Sequence, residues 1–244
     1  MSIQDPITAY WSRWAGEYDA QQTARARAEG AEEVWRTVWA EGLRAEPGGA
    51  PLEVLDVGTG SGNAAITIAA LGHRVTGIDL APGMLEAARA KGSPVRFLPG
   101  DAVDPPLPAG SLDAIVSRYV LWTLRDAPAA LAAWHRLLRP GGVVLAVDSA
   151  WFPDGADVGD GLEGARREDF RSAYAGGALP ELALAPGDPE QVMAAFRAAG
   201  FTEVTADPLP AVLELDRMNG VSPGHRPQLQ MRYRGVVPER MRRS

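Results

Sequence analysis

The chain reads as a doubly wound α/β fold, and three observations carry that expectation. Apolar runs of strand length alternate with helical patterns from residue 52 to residue 147. Those runs are continuously apolar, as in a parallel sheet covered on both faces. Between the first run and its helix stand Gly58, Gly60 and Gly62, spaced for a tight strand-to-helix turn in which the backbone can approach a ligand closely.

The elements follow in order. Asp5-Pro6 suits a helix start, and Ile7, Tyr10, Trp11, Trp14, Ala15 and Tyr18 recur at helical spacing with one aromatic face. A second helix spans roughly 24 to 45 and stops at Glu46-Pro47-Gly48-Gly49. Strands are expected at 52–57, 74–79, 95–98, 113–117 and 143–147. Helices are expected at 63–71, 82–91 and 127–138, the last stopping at Pro140-Gly141-Gly142. The Asp-, Gly- and Ala-rich segment 150–188 holds one helix near 166–175, and a further helix runs from Pro189 to a Gly200 stop. Two extended stretches follow, at 202–215 and 228–237. In the second, Leu229, Met231 and Tyr233 alternate with Gln230, Arg232 and Arg234, the pattern of an antiparallel strand with one solvated face. The resulting division is a helical cap (1–49), a core (50–149), a lid insertion (150–188), and a closing helix with strands (189–244).

Composition narrows the partners. With 244 residues, 46% of them hydrophobic, the chain suits one large α/β domain, or one domain with a modest appendage. A formal charge of −7 argues against a nucleic-acid partner, and the basic stretch after Pro238 reads as a solvated tail. No run of 18 apolar residues suggests a membrane span, and the amino terminus lacks the pattern of a secretory signal. Zero cysteines exclude disulfides and thiol catalysis. The three histidines, His73, His135 and His225, are too scattered for a metal centre. A cytoplasmic protein, monomeric or homodimeric, with a small-molecule substrate fits best.

Three acids end successive strands: Asp56 two residues before Gly58, Asp79 after strand two, and Asp101 after strand three. Open α/β sheets bind ligands at that edge. A carboxylate in the position of Asp56 is costly to bury unless paired; it either meets the ammonium of an amino-acid-like ligand or caps the turn. Asp79 suits the two hydroxyls of a ribose, and Asp101 suits the exocyclic amine of an adenine. The Asp56-to-Asp79 spacing alone would serve a dinucleotide equally well, and Gly60-x-Gly62-x-x-Ala65 satisfies the loose dinucleotide pattern.

The order of motifs resembles the class I S-adenosylmethionine-dependent methyltransferases, in the branch of small-molecule and ubiquinone/menaquinone-type enzymes. It is carried by Leu55-Asp56-Val57-Gly58-Thr59-Gly60-Ser61-Gly62, Val75-Thr76-Gly77-Ile78-Asp79-Leu80, Pro82-Gly83-Met84-Leu85, Gly100-Asp101-Ala102, Leu112 to Ser117, and Leu137-Leu138-Arg139-Pro140-Gly141-Gly142. The resemblance covers residues 10 to 148. It implies a Rossmann-like, doubly wound seven-stranded sheet, mostly parallel with an antiparallel last strand, and S-adenosyl-L-methionine as cofactor. By position, Gly58, Thr59, Gly60 and Gly62 would wrap the methionine part and Asp79 would hold the ribose. Leu80 and Met84 would flank the adenine, with Asp101 and Ala102 at its amine. Ser117, Arg118 and Tyr18 would complete the cofactor site. Met84 and the aromatic face also have plain packing roles open to them.

The implied reaction is methyl transfer by in-line displacement to an O, N or C nucleophile of a small aromatic or apolar metabolite, in secondary metabolism. Trp11, Trp14, Tyr119 and Tyr174 are the candidates for substrate contact, with Tyr119 and His225 as candidate bases. Two other functions compete. A dinucleotide oxidoreductase would need a catalytic lysine, and Lys91 is the single lysine of the chain. A non-catalytic cofactor-binding module would leave the long 150–188 segment without a purpose.

Overall fold

The computed structural model describes residues 3–45, 49–151, 162, 164–174, 184, 188–221 and 226–239. Among them, seven strands form one sheet: β1 (Glu53–Val57), β2 (Arg74–Asp79), β3 (Arg96–Pro99), β4 (Leu112–Arg118), β5 (Leu138–Asp148), β6 (Thr202–Pro208) and β7 (Met231–Val236). The sheet order is β3-β2-β1-β4-β5-β7-β6. Every pairing is parallel except those of β7, which runs antiparallel between β5 and β6. The chain starts at the middle and winds outward both ways, so the switch point lies between β1 and β4 at their carboxyl ends.

The helices are α1 (Gln4–Arg13), α2 (Ala15–Ala26), α3 (Ala31–Leu43), α4 (Asn63–Ala70), α5 (Pro82–Ala90), α6 (Ala127–Leu137), α7 (Gly164–Ala173), α8 (Pro189–Ala198) and α9 (Pro210–Asn219). Successive strand residues face opposite layers. Leu55, Ile115 and Val144 pack with Leu131, Trp134 and Phe196 of α6 and α8. Val54, Val116 and Leu145 pack with Trp39, Ile68 and Leu85 of α3, α4 and α5.

Four expectations are corrected. The aromatic amino-terminal face is split at Trp14 (φ −98°, ψ 11°), so that α1 packs on both α7 and α5 while α2 packs on α5. The following helix is split at Gly30 (φ +76°), a left-handed position that glycine tolerates. The β5 strand begins at Leu138, upstream of Pro140: the register jumps from Leu112↔Leu138 to Ala114↔Val143, and this bulge takes up the Pro140-Gly141-Gly142 turn. Residues 210–215 are helical, because Pro210 sits at the first turn of α9 while Val212 and Leu215 bury one face.

The supposed solvated face of β7 is also buried. Gln230, Arg232 and Arg234 are at most 9% exposed. Arg232 donates to the Val38 carbonyl at 3.0 Å and Arg234 to the Gly42 carbonyl at 3.2 Å. Arg234 thus covers a free carbonyl at the carboxyl end of α3, where the helix dipole also favours a cation, and Arg232 meets a carbonyl one turn further in. Among the described residues no helix is long and apolar enough to cross a membrane.

Candidate cofactor and substrate site

The β1–α4 turn is shaped by its glycines. Gly58 (φ +62°) has no room for a side chain, since a Cβ there would stand 2.6 Å from Val120 Cγ2. Gly62 (φ +84°) packs against Phe97, so it shapes the turn from below. Gly60 (φ +53°) is open: a Cβ would meet only Met84 Sδ, at 4.0 Å. Its amide donates to Asp79 Oδ2 at 2.8 Å, and the Ala81 amide donates to Asp79 Oδ1 at 2.8 Å. Two backbone donors therefore aim the Asp79 carboxylate, whose remaining lone pairs face the cleft.

That cleft encloses about 770 Å³, open to solvent. Gly58, Gly60, Asp79, Leu80, Asp101, Ala102, Arg118 and Tyr119 line it along the strand ends, and Ile7, Trp11 and Tyr18 cover it from the helical cap. A smaller recess of about 300 Å³ continues past Tyr18, Gly58, Gly60 and Arg118 to Asp56, Thr59 and Asn63.

Asp56 lies at the floor of this recess, 1% exposed. Thr59 donates its hydroxyl to Asp56 Oδ2 at 2.7 Å, while Oδ1 is buried with no hydrogen-bond partner. Burial pushes its pKa up to about 7, against the Thr59 hydrogen bond, the nearby Arg118 charge and the Ala65 amide. One Asp56 oxygen thus fixes the turn, and the other has no hydrogen-bond partner in the structure. Ser117 Oγ is likewise buried and unpartnered.

Asp101 is already engaged. It accepts from the Val103 amide at 2.8 Å and forms an ion pair with Arg125, which also donates to Gln4 Oε1 at 3.2 Å. Both Arg125 and Gln4 line the cleft, and sequence inspection missed both. No fixed spacing links either to the acid, so only the fold brings them together. Met84 is 3% exposed and packs with Ala15 and Ala81 while also lining the cleft.

The aromatic candidates divide. Trp11 and Tyr18 line the cleft and meet edge to face at 5.4 Å. Trp14 instead turns to α7, its indole donating to Asp169 at 2.9 Å, and takes no part in the cleft wall. Tyr174 is buried behind the wall, accepting from Trp11 Nε1 at 3.0 Å and contacting Thr123 Oγ1 at 3.0 Å; it positions Trp11. Tyr119 has positive φ (+64°) and donates to Gln230 Oε1 at 2.9 Å. Burial pushes its phenol up to about 12, so it is protonated at neutral pH. His225 lies outside the described residues. His73 accepts from the Leu52 amide, and His135 packs on Phe201. Lys91 pairs with Asp19 at 2.7 Å.

A doubly wound sheet whose strand-end acids and glycine turn wall one cleft defines an α/β protein that binds a nucleoside-bearing cofactor. Comparison with known proteins makes the assignment narrower. The profile of the methyltransferase-domain family matches residues 55–146. A demethylmenaquinone methyltransferase of Thermus thermophilus is 36% identical over 169 residues, covering 63% of this chain and 76% of the relative. A malonyl-[acyl-carrier protein] O-methyltransferase of Serratia marcescens is 37% identical over 139 residues, 57% of this chain and 51% of that one. The chain thus spans half of one relative's length and three quarters of the other's. Among solved structures, a phosphoethanolamine N-methyltransferase 2 of Haemonchus contortus, holding phosphomonomethylethanolamine and S-adenosylhomocysteine, superposes with a TM-score of 0.58 at 18% identity. The match covers 88% of this chain and 58% of that one. The chain belongs to the class I S-adenosylmethionine-dependent methyltransferases.

The residues present suit that family's cofactor. The buried, unpartnered Asp56 Oδ1 answers an ammonium, the amide-oriented Asp79 a pair of hydroxyls, and the open Gly60 a closely approaching ligand.

Proposed function

We propose that this chain moves the methyl group of S-adenosylmethionine to an O, N or C nucleophile of a small acceptor with a flat or apolar part, in cytoplasmic secondary metabolism. One observation carries the reading: Asp56, Asp79 and Asp101 end three adjacent strands around one continuous cleft and recess. Asp56, with Thr59, Ser117 and Arg118, would hold the amino-acid end. Asp79 would take the ribose hydroxyls, and Leu80, Met84, Asp101 and Ala102 the adenine. Gly58, Gly60 and Gly62 give the turn its shape, and Tyr18 closes over it. Bound there, the cofactor supplies an electrophilic methyl group on a sulfonium.

The chain's own contribution is alignment and dryness. Trp11 and Tyr18 roof the cleft, and their edge-to-face contact with the Tyr174 hydrogen bond behind it holds the roof at a set height. Alignment of this kind supplies ~7–11 kcal/mol of barrier reduction. Burial raises both Tyr18 and Tyr119, so neither side chain draws a proton from the acceptor at neutral pH. The test is calorimetric binding of S-adenosylhomocysteine, followed by labelled methyl transfer across an acceptor panel. Binding with no transfer to any acceptor class would leave a cofactor-binding module instead.

A further inference from the structure

A second cavity, open to solvent and spanning about 1100 Å³ with that open space included, lies on the α3–α4 side of Arg118, between α2, α3, α4 and α9. We infer that it is the acceptor chamber and that it receives a planar aromatic anion; the inference rests on the methyltransferase reading above. Arg118 lines this cavity, the cleft and the Asp56 recess alike, so one guanidinium stands where all three meet. Asn63, at the start of α4, is shared with the recess, and Tyr119 with the cleft. An occupant of the chamber thus reaches the amino-acid end of the cofactor site past one side chain.

The walls specify the occupant. Trp35 and Trp39 are stacked at 6.2 Å, and Trp35 meets Tyr119 edge to face at 6.4 Å, giving a broad aromatic surface for a flat ring. The Trp39 indole N–H is fully buried and unpartnered, a donor left over inside the wall. Three guanidinium groups line the chamber. Arg25 is consumed by its ion pair with Asp216. Arg118 makes no ion pair among the described residues, donating to Gln22 and lying over the Trp35 and Tyr119 rings at 4.8 and 5.1 Å, with Asp56 and Asp216 nearby. Arg36 lines the same space and has no carboxylate partner among the described residues. The acids present are Asp216, already paired, and solvent-exposed Glu32. With Arg118 turned to the amino-acid end of the cofactor, Arg36 over the aromatic wall selects a ring bearing an anionic group and disfavours a cationic acceptor.

The test uses the full chain saturated with S-adenosylhomocysteine and three flat probes: 2-naphthoate, neutral 2-naphthamide and cationic 2-(aminomethyl)naphthalene. Calorimetry should give 2-naphthoate an affinity at least about tenfold above either other probe, as expected of a charge-assisted contact. Arg36→Ala should abolish that preference and Arg36→Lys should retain most of it, both with S-adenosylhomocysteine affinity intact as the sign of a folded cofactor site. Trp35→Leu should weaken all three probes together. Equal binding of the three probes in the parent, or a preference indifferent to Arg36→Ala, overturns the chamber while leaving the cofactor reading standing. Failure of the parent to bind S-adenosylhomocysteine overturns both.

Discussion

If the unpartnered oxygen of Asp56 receives the ammonium of the cofactor, binding must expel a proton. The free protein holds this carboxyl with a pKa near 7 because burial penalises its charge. An ammonium placed on Oδ1 favours the charged form, so the proton leaves as the ligand enters. The sign follows: S-adenosylhomocysteine affinity rises with pH up to about 7 and then levels. Below that value each pH unit costs about tenfold, or about 1.4 kcal/mol, so binding at pH 6 should be about tenfold weaker than at pH 8. Calorimetry at pH 6 in buffers of different ionisation enthalpy should report release of close to one proton. Asp56→Asn, neutral at every pH, should flatten the profile near the parent's low-pH affinity. Affinity that is constant from pH 6 to 8 in the parent, or a slope that persists in Asp56→Asn, refutes the reasoning.

Other substitutions probe separate parts of the site. Asp101→Ala, which removes a partly exposed pair with Arg125, should lower S-adenosylhomocysteine affinity about tenfold while moving Tm little; unchanged affinity rejects its place at the adenine. Gly58→Ala combines a positive φ with a 2.6 Å contact on Val120, at a cost of about 2–4 kcal/mol, read as a drop in Tm of roughly 5–15 °C. Tyr119→Phe loses the Gln230 hydrogen bond and about 1 kcal/mol of stability, yet should leave the pH profile of methyl transfer unchanged, since its phenol is no base. Asp148, fully buried and raised to about 7 by burial despite donors from Ser149 and Trp151, stays protonated in the folded chain where the unfolded chain has ionised. Its contribution to stability is therefore lost as pH rises from about 4 through 7, and Asp148→Asn should make the fall of Tm between pH 5 and 8 shallower.

Much of this molecule is written in local chemistry. The positions of β1 to β4 and their helices follow from apolar runs, and the Gly58–Gly62 turn and the three strand-end acids from residues a few positions apart. A strand-end carboxylate lies at the ligand edge whatever the rest of the chain does, because the winding rule of the sheet puts it there. Short-range signals were weaker at α9, where Pro208-Leu209-Pro210 suits both a strand end and a helix start. They also misled at β7, where polar alternation normally marks a solvated face but here meets carbonyls of α3.

Only the folded chain decides who meets whom across long separations. Arg125 neutralises Asp101 24 residues away, Tyr174 braces Trp11 across 163 residues, and Trp35 and Arg36 of α3 come to share a cavity with Asp216 of α9. Such contacts depend on how layers stack around the sheet, and no spacing along the sequence encodes a stacking distance. For the same reason the orphaned oxygen of Asp56 becomes visible only once its surroundings are closed around it: a carboxylate is recognisable in the string of residues, but its lack of a partner is a property of the space it occupies.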